Sequence, residues 1–84
     1  MDNTAKQQLR EFLKEALANH GDHKDFSDNE PLFSSGRLDS FSMMNLVMHL
    51  EESLNIDFSS LEFDVSLVDS VGDIERLAAT QQAA

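Results

Sequence analysis

An all-α fold of three main helices plus one short helix, with a long loop between the first two, is what this sequence predicts. Three observations carry the prediction. Apolar residues recur at helical spacing in three separate stretches, and no stretch alternates apolar and polar residues with the period of a strand. The single proline and two of the three glycines fall together between the first and second helical stretches.

Helix one is expected over about 4–19, where Ala5, Leu9, Phe12, Leu13, Ala16 and Leu17 follow the 3, 4, 7, 8 spacing of one helical face. Thr4 with Gln7 reads as a capping box, and Gly21 suits a left-handed C-terminal closure. Residues 20–39 have no helical period and are rich in Asp, Ser and Asn, so they form a loop. A loop this long is uncommon in a compact domain unless it is functional or pinned. Phe26, Leu32, Phe33 and Leu38 are the residues that could pin it, with one helical turn at Pro31–Ser34 closed by Gly36.

Helix two is expected over about 40–54, capped by Asp39 or Ser40. Its apolar residues cover two faces. Leu46, Val47, Leu50 and Leu54 form a stripe suited to the core, while Phe41, Met44 and Met48 form a second, displaced stripe. That second stripe has two readings: a helix buried over most of its circumference, or an exposed apolar docking strip. Residues 56–60 read as extended, a short helix is expected over about 60–66, and a last helix over about 70–79. Ser70 or Asp69 caps that helix, Val71, Ile74, Leu77 and Ala78 mark its inner face, and the tail from Thr80 is expected to fray.

Size and charge narrow the function. Eighty-four residues make one domain, too small to enclose a deep substrate pocket beside its core. The chain has no cysteine, which excludes disulfides, thiolate metal sites and thioester formation on its own side chains. The first residues lack the basic start and apolar run of a signal peptide, and no stretch reaches membrane-spanning length, so a cytoplasmic protein without membrane insertion is expected. Sixteen acidic against six basic residues leave a formal charge of -10, which repels nucleic acid and attracts basic protein surfaces. Between Leu38 and Glu75 there are nine acids and no Lys or Arg, so one half of the molecule is uniformly negative.

Few residues present themselves for chemistry. Ser40 sits at the start of helix two, where free backbone amides and the helix dipole favour an anionic substituent; a plain helix cap is the alternative reading. His20, Asp22 and His23 lack a third strong ligand, so no metal site is expected. His49 lies nine residues beyond Ser40, more than two helical turns away, so the two cannot form a catalytic pair. The acids from Asp22 to Glu30 lack the central glycine of a calcium loop.

The segment Leu32-Phe33-Ser34-Ser35-Gly36-Arg37-Leu38-Asp39-Ser40-Phe41 resembles the attachment segment of the acyl carrier protein family. The resemblance continues through residues 46–56 and Ser70-Val71-Gly72-Asp73-Ile74, and spans roughly Phe12 to Leu77. It implies the small four-helix bundle of that family, as a stand-alone carrier domain over 1–84. It also implies a 4′-phosphopantetheine on Ser40, transferred from coenzyme A by a phosphopantetheinyl transferase that uses a divalent metal. By the same resemblance, Asp39 matches the aspartate that helps the transferase hold its metal and substrate, and Phe41 matches the hydrophobic residue that docks on partners. Met44, Met48, Glu51 and Glu52 align with the recognition face of helix two. An apolar strip rimmed by acids suits partners with a groove rimmed by Arg or Lys.

The function implied is a monomeric, non-catalytic carrier that holds an acyl or aminoacyl thioester and presents it to a ligase or transferase and to downstream biosynthetic enzymes. Ser42 and Asn45 stand where fatty-acid carriers usually have acids, and Phe41 replaces the usual leucine. Residues 56–64 look more like carriers of D-alanine and other amino acids, although no tryptophan follows them. The reading from another class is a small acidic adaptor that binds basic amphipathic partners and uses Ser40 only as a cap.

Overall fold

A computed structural model describes residues 2–60 and 62–82. It contains α1 (Asn3–Asn19), α2 (Ser40–Leu54) and α3 (Val71–Gln82), with two single 3-10 turns, Phe58–Ser60 and Val65–Leu67, between α2 and α3. The described residues form no strand, and none of their helices is long and apolar enough to cross a membrane.

Each helix buries the stripe that its spacing announces. Leu9, Leu13 and Leu17 of α1, Leu46, Leu50 and Leu54 of α2, and Val71, Ile74, Leu77 and Ala78 of α3 meet in one core. A leucine so buried contributes about 1.5–3 kcal/mol relative to the exposed side chain, which far exceeds any propensity term along these helices. Val47 departs from expectation. It is only half-buried, because at 100° per residue it lies at the edge of the sector centred on Leu46 and Leu50 and turns toward Phe58 and Phe63.

The ends of the helices refine the sequence reading. Asp2 caps α1, its Oδ1 accepting the Ala5 amide at 2.8 Å, so the helix begins one residue before the expected Thr4 box. The expected closure at Gly21 is present: Gly21 has φ +78°, and the Gly21 and Asp22 amides donate to Ala18 and Leu17 carbonyls at 2.9 Å. Asn55, with φ 55°, ends α2 in the same left-handed region, which asparagine tolerates better than most residues. Ser70 caps α3 through the Asp73 amide at 3.1 Å, and the Asp73 carboxylate accepts the Ser70 hydroxyl at 2.9 Å. α3 extends through Gln82, beyond the expected end near 79, and the Thr80 hydroxyl donates to the Arg76 carbonyl at 2.9 Å. Ala83 and Ala84 lie outside the described residues.

In place of the short helix expected over 60–66 the described residues form two 3-10 turns, and among them there are three α-helices and not four; Leu61 lies outside the described residues. A three-residue turn closes with few hydrogen bonds, and this segment is too short to offset the cost of nucleating an α-helix. Phe58–Ser60, expected to be extended, forms the first of these turns.

The loop between α1 and α2 is pinned as its composition requires. Phe26, Leu32 and Leu38 are buried and Phe33 packs partly against the core. Gly36, with φ +85°, closes a turn on the Phe33 carbonyl at 3.1 Å, in place of the helical turn expected at Pro31. Arg37 holds the outer half of the loop: it donates to Asp22 at 2.9 and 3.2 Å, to the Lys24 carbonyl at 2.9 Å, and to Glu30. Those carboxylates raise the Arg37 pKa further above its ordinary value, Asp22 most strongly. We predict that Arg37→Ala lowers Tm by roughly 4–8 °C, a loss of about 1 kcal/mol for a domain of this size, and speeds amide exchange across 22–30 before it affects the helices.

Candidate functional site

Ser40 is the first residue of α2 and is exposed where the pinned loop ends. Asp39, in extended backbone, is the cap: its Oδ1 accepts the Ser42 amide at 3.0 Å and its carbonyl accepts the Met43 amide at 3.1 Å. Capping is thereby performed by Asp39, which leaves Ser40 without that duty. The Ser42 amide bond holds the Asp39 carboxyl below the usual carboxylate range, and nearby His20 pulls it the same way. Asp39 is therefore an anion at neutral pH, one residue before an exposed hydroxyl.

The end of α1 meets this corner. His20 Nε2 lies 3.2 Å from Ser42 Oγ and 3.5 Å from Asp39 Oδ1. Ser42, at 5% exposure, is a buried polar contact between helices, not a surface residue. Nothing in the sequence linked positions 20 and 42. Asp22 is engaged by Arg37, so His20 and Asp22 serve separate structural contacts. His49 stacks on Phe12 with ring centroids 4.8 Å apart, well down α2 from Ser40.

Phe41, Met44 and Met48 are 70%, 67% and 55% exposed, which decides between the two readings of the second stripe: it is a solvent-facing strip. At 100° per residue, Phe41, Met44, Met48, Glu51 and Glu52 fall within a sector of about 100°, with Ser40 beside its edge. Both glutamates are exposed. The strip is flanked by two hollows. One, of about 540 Å³, runs between α1 and α2 past Phe12, His20, Asn45 and His49; the other, of about 400 Å³, is lined by Met43, Met44, Val47, Met48, Phe58 and Phe63.

Three helices around one core, with an exposed hydroxyl at a helix start beside an apolar, acid-rimmed strip, make up a small helical domain whose reactive features all lie at its surface. The family model for the phosphopantetheine attachment site matches residues 7–78, and the chain belongs to that family, the carriers of which acyl carrier proteins are members. Its covalent group is 4′-phosphopantetheine, and its role is that of a phosphopantetheine carrier. Such carrier domains are generally non-catalytic and work with transferases and biosynthetic enzymes. Comparisons with curated proteins and with solved structures gave no match.

Proposed function

We propose that Ser40 is the attachment residue and that the chain, a single carrier domain over 1–84, presents an acyl or aminoacyl thioester to partner enzymes. The observation that carries the reading is the exposed Ser40 at the first position of a fifteen-residue helix that Asp39 caps. A phosphodiester on Ser40 would face the amides and positive dipole end of that helix, and no packing must move to admit it, so the residues present fit the group. When bound, the group supplies the thiol that holds the cargo, which a chain without cysteine cannot provide.

The residues around Ser40 then have separable tasks. Asp39 keeps α2 ordered up to the modified residue and offers a carboxylate for recognition by the phosphopantetheinyl transferase and its metal. Phe41, Met44 and Met48 supply apolar contact to partners, and Glu51 and Glu52 orient basic docking surfaces on approach. The chain itself performs no catalysis in this reading, as carrier domains of its family generally do not; His20 is turned to Ser42 and His49 to Phe12. It acts as a cytoplasmic monomer. Its departures at Phe41, Ser42 and Asn45, and its resemblance over residues 56–64, favour an aminoacyl cargo over a fatty acyl one.

Incubation with coenzyme A, magnesium and a broad-specificity phosphopantetheinyl transferase tests the reading: the intact mass should rise by one phosphopantetheine. A mass that stays unmodified while a control carrier is converted would sink it. The docking face has its own test. Charge reversal at both Glu51 and Glu52 should slow association with the transferase on the order of tenfold at low salt and flatten its dependence on ionic strength. Association equal to wild type at low salt would remove the acidic rim from the account.

A further inference from the structure

Three of the four methionines, Met43, Met44 and Met48, lie on α2 in a chain without cysteine. Their exposure is unequal. Met44 and Met48 present most of their surface to solvent, whereas Met43 is partly buried against the core. Met48 also stands on the ridge between the two hollows, bordering both. Leucine would fill the same apolar strip, but only methionine places an oxidisable thioether there.

We propose that Met44 and Met48 form an oxidation-sensitive modification site, at which conversion to the sulfoxide by a peroxide weakens the docking of α2 on partner enzymes. The proposal rests on the docking role given to that face above. In the reaction the thioether sulfur attacks one peroxide oxygen, the O–O bond breaks, and the displaced oxygen leaves as water once proton transfer is complete. Sulfur is oxidised by two electrons and the peroxide is reduced. The new S=O is a strong acceptor beside a hollow that, among the described residues, is lined by apolar side chains. A partner that buries the Met44 sulfoxide, or the Met48 sulfoxide turned to that side, must desolvate it against apolar side chains alone, which opposes association. Because both side chains face solvent, the core is untouched and the fold survives. The sulfoxide can be reduced again by methionine sulfoxide reductases, so the change is reversible.

The test uses the full chain before attachment of the arm, so that no prosthetic thiol consumes the oxidant. After graded treatment with hydrogen peroxide, peptide mapping should place oxygen on Met44 and Met48 several-fold faster than on Met43. The kcat/KM for modification by the transferase should fall about tenfold, with the melting transition retained, and recover after treatment with the reductases. A Met44→Leu/Met48→Leu variant should keep its own rate through the same treatment. An unchanged rate with both residues fully oxidised overturns the proposal, as does an equal loss in the double variant or a lost melting transition. Met44→Ala separates the two ideas: if it slows modification while oxidation does not, only the oxidation site fails; if neither has an effect, the docking face fails with it.

Discussion

Replacing Ser40 with alanine is expected to abolish uptake of the phosphopantetheine arm while leaving the fold intact. The two effects separate because of where the capping oxygen resides. Asp39 Oδ1 accepts the Ser42 amide, so removal of the Ser40 hydroxyl takes no cap from α2. Alanine is the best helix former, and the position is exposed, so the change in stability should stay within about 0.5 kcal/mol. Far-ultraviolet circular dichroism and Tm should match wild type, and intact mass should show no conversion under conditions that convert wild type fully. Conversion of Ser40→Ala would assign the arm to another hydroxyl. A collapse of Tm would mean that Ser40 is part of the helix start after all.

Asp69→Ala should be the most destabilising change outside the leucine core. Asp69 is 9% exposed, and its carboxylate accepts the Phe33 amide at 2.8 Å, the Ser34 amide at 3.0 Å and the Ser34 hydroxyl at 2.6 Å. Its carbonyl accepts the Leu32 amide at 2.7 Å, so Asp69, two residues ahead of α3, pins the turn that leads to Ser40. Truncation leaves two amides and a hydroxyl without their acceptor, at a cost of roughly 2–4 kcal/mol, or a fall in Tm on the order of 10 °C or more. Burial pushes the Asp69 carboxyl up, but the Ser34 hydroxyl and the amides of Ser34, Phe33 and Leu32 together outweigh it and hold the group below its ordinary value. The folded state therefore binds this proton less readily than the unfolded chain. The stabilisation is complete above the ordinary aspartate pKa, about 3.9, and is lost as pH falls through the lower folded value. Urea unfolding at stepped pH should show wild type and Asp69→Ala converging in acid, with the gap opening as pH rises through the carboxylate range and fully open by about pH 5. A constant gap across that range would contradict the assignment.

Much of this molecule was legible before its structure. The α1 face at Leu9, Leu13 and Leu17, the α2 face at Leu46 and Leu50, and the left-handed closure at Gly21 follow from spacing and from the demands of a positive φ. Ser40 at a helix start and its acidic, methionine-bearing helix were likewise visible in the chain. The short helix was misjudged because a few residues of mixed propensity between two anchors, Ile56 and Val68, take whatever turn the anchors allow. Val47 was misjudged because a stripe wider than the core contact leaves its edge residue only half covered.

Local periodicity alone determined the three helices, the loop and the place of Ser40 at a helix start, since each depends on residues within a few turns of one another. Tertiary structure alone decided the contacts between residues distant in sequence: His20 with Ser42, Phe12 on His49, Arg37 among the loop acids, and Asp69 under the turn before Ser40. With sixteen acids in the chain, spacing cannot say which carboxylate reaches which amide. That choice is made only when the leucine faces close and bring distant backbone within hydrogen-bonding range.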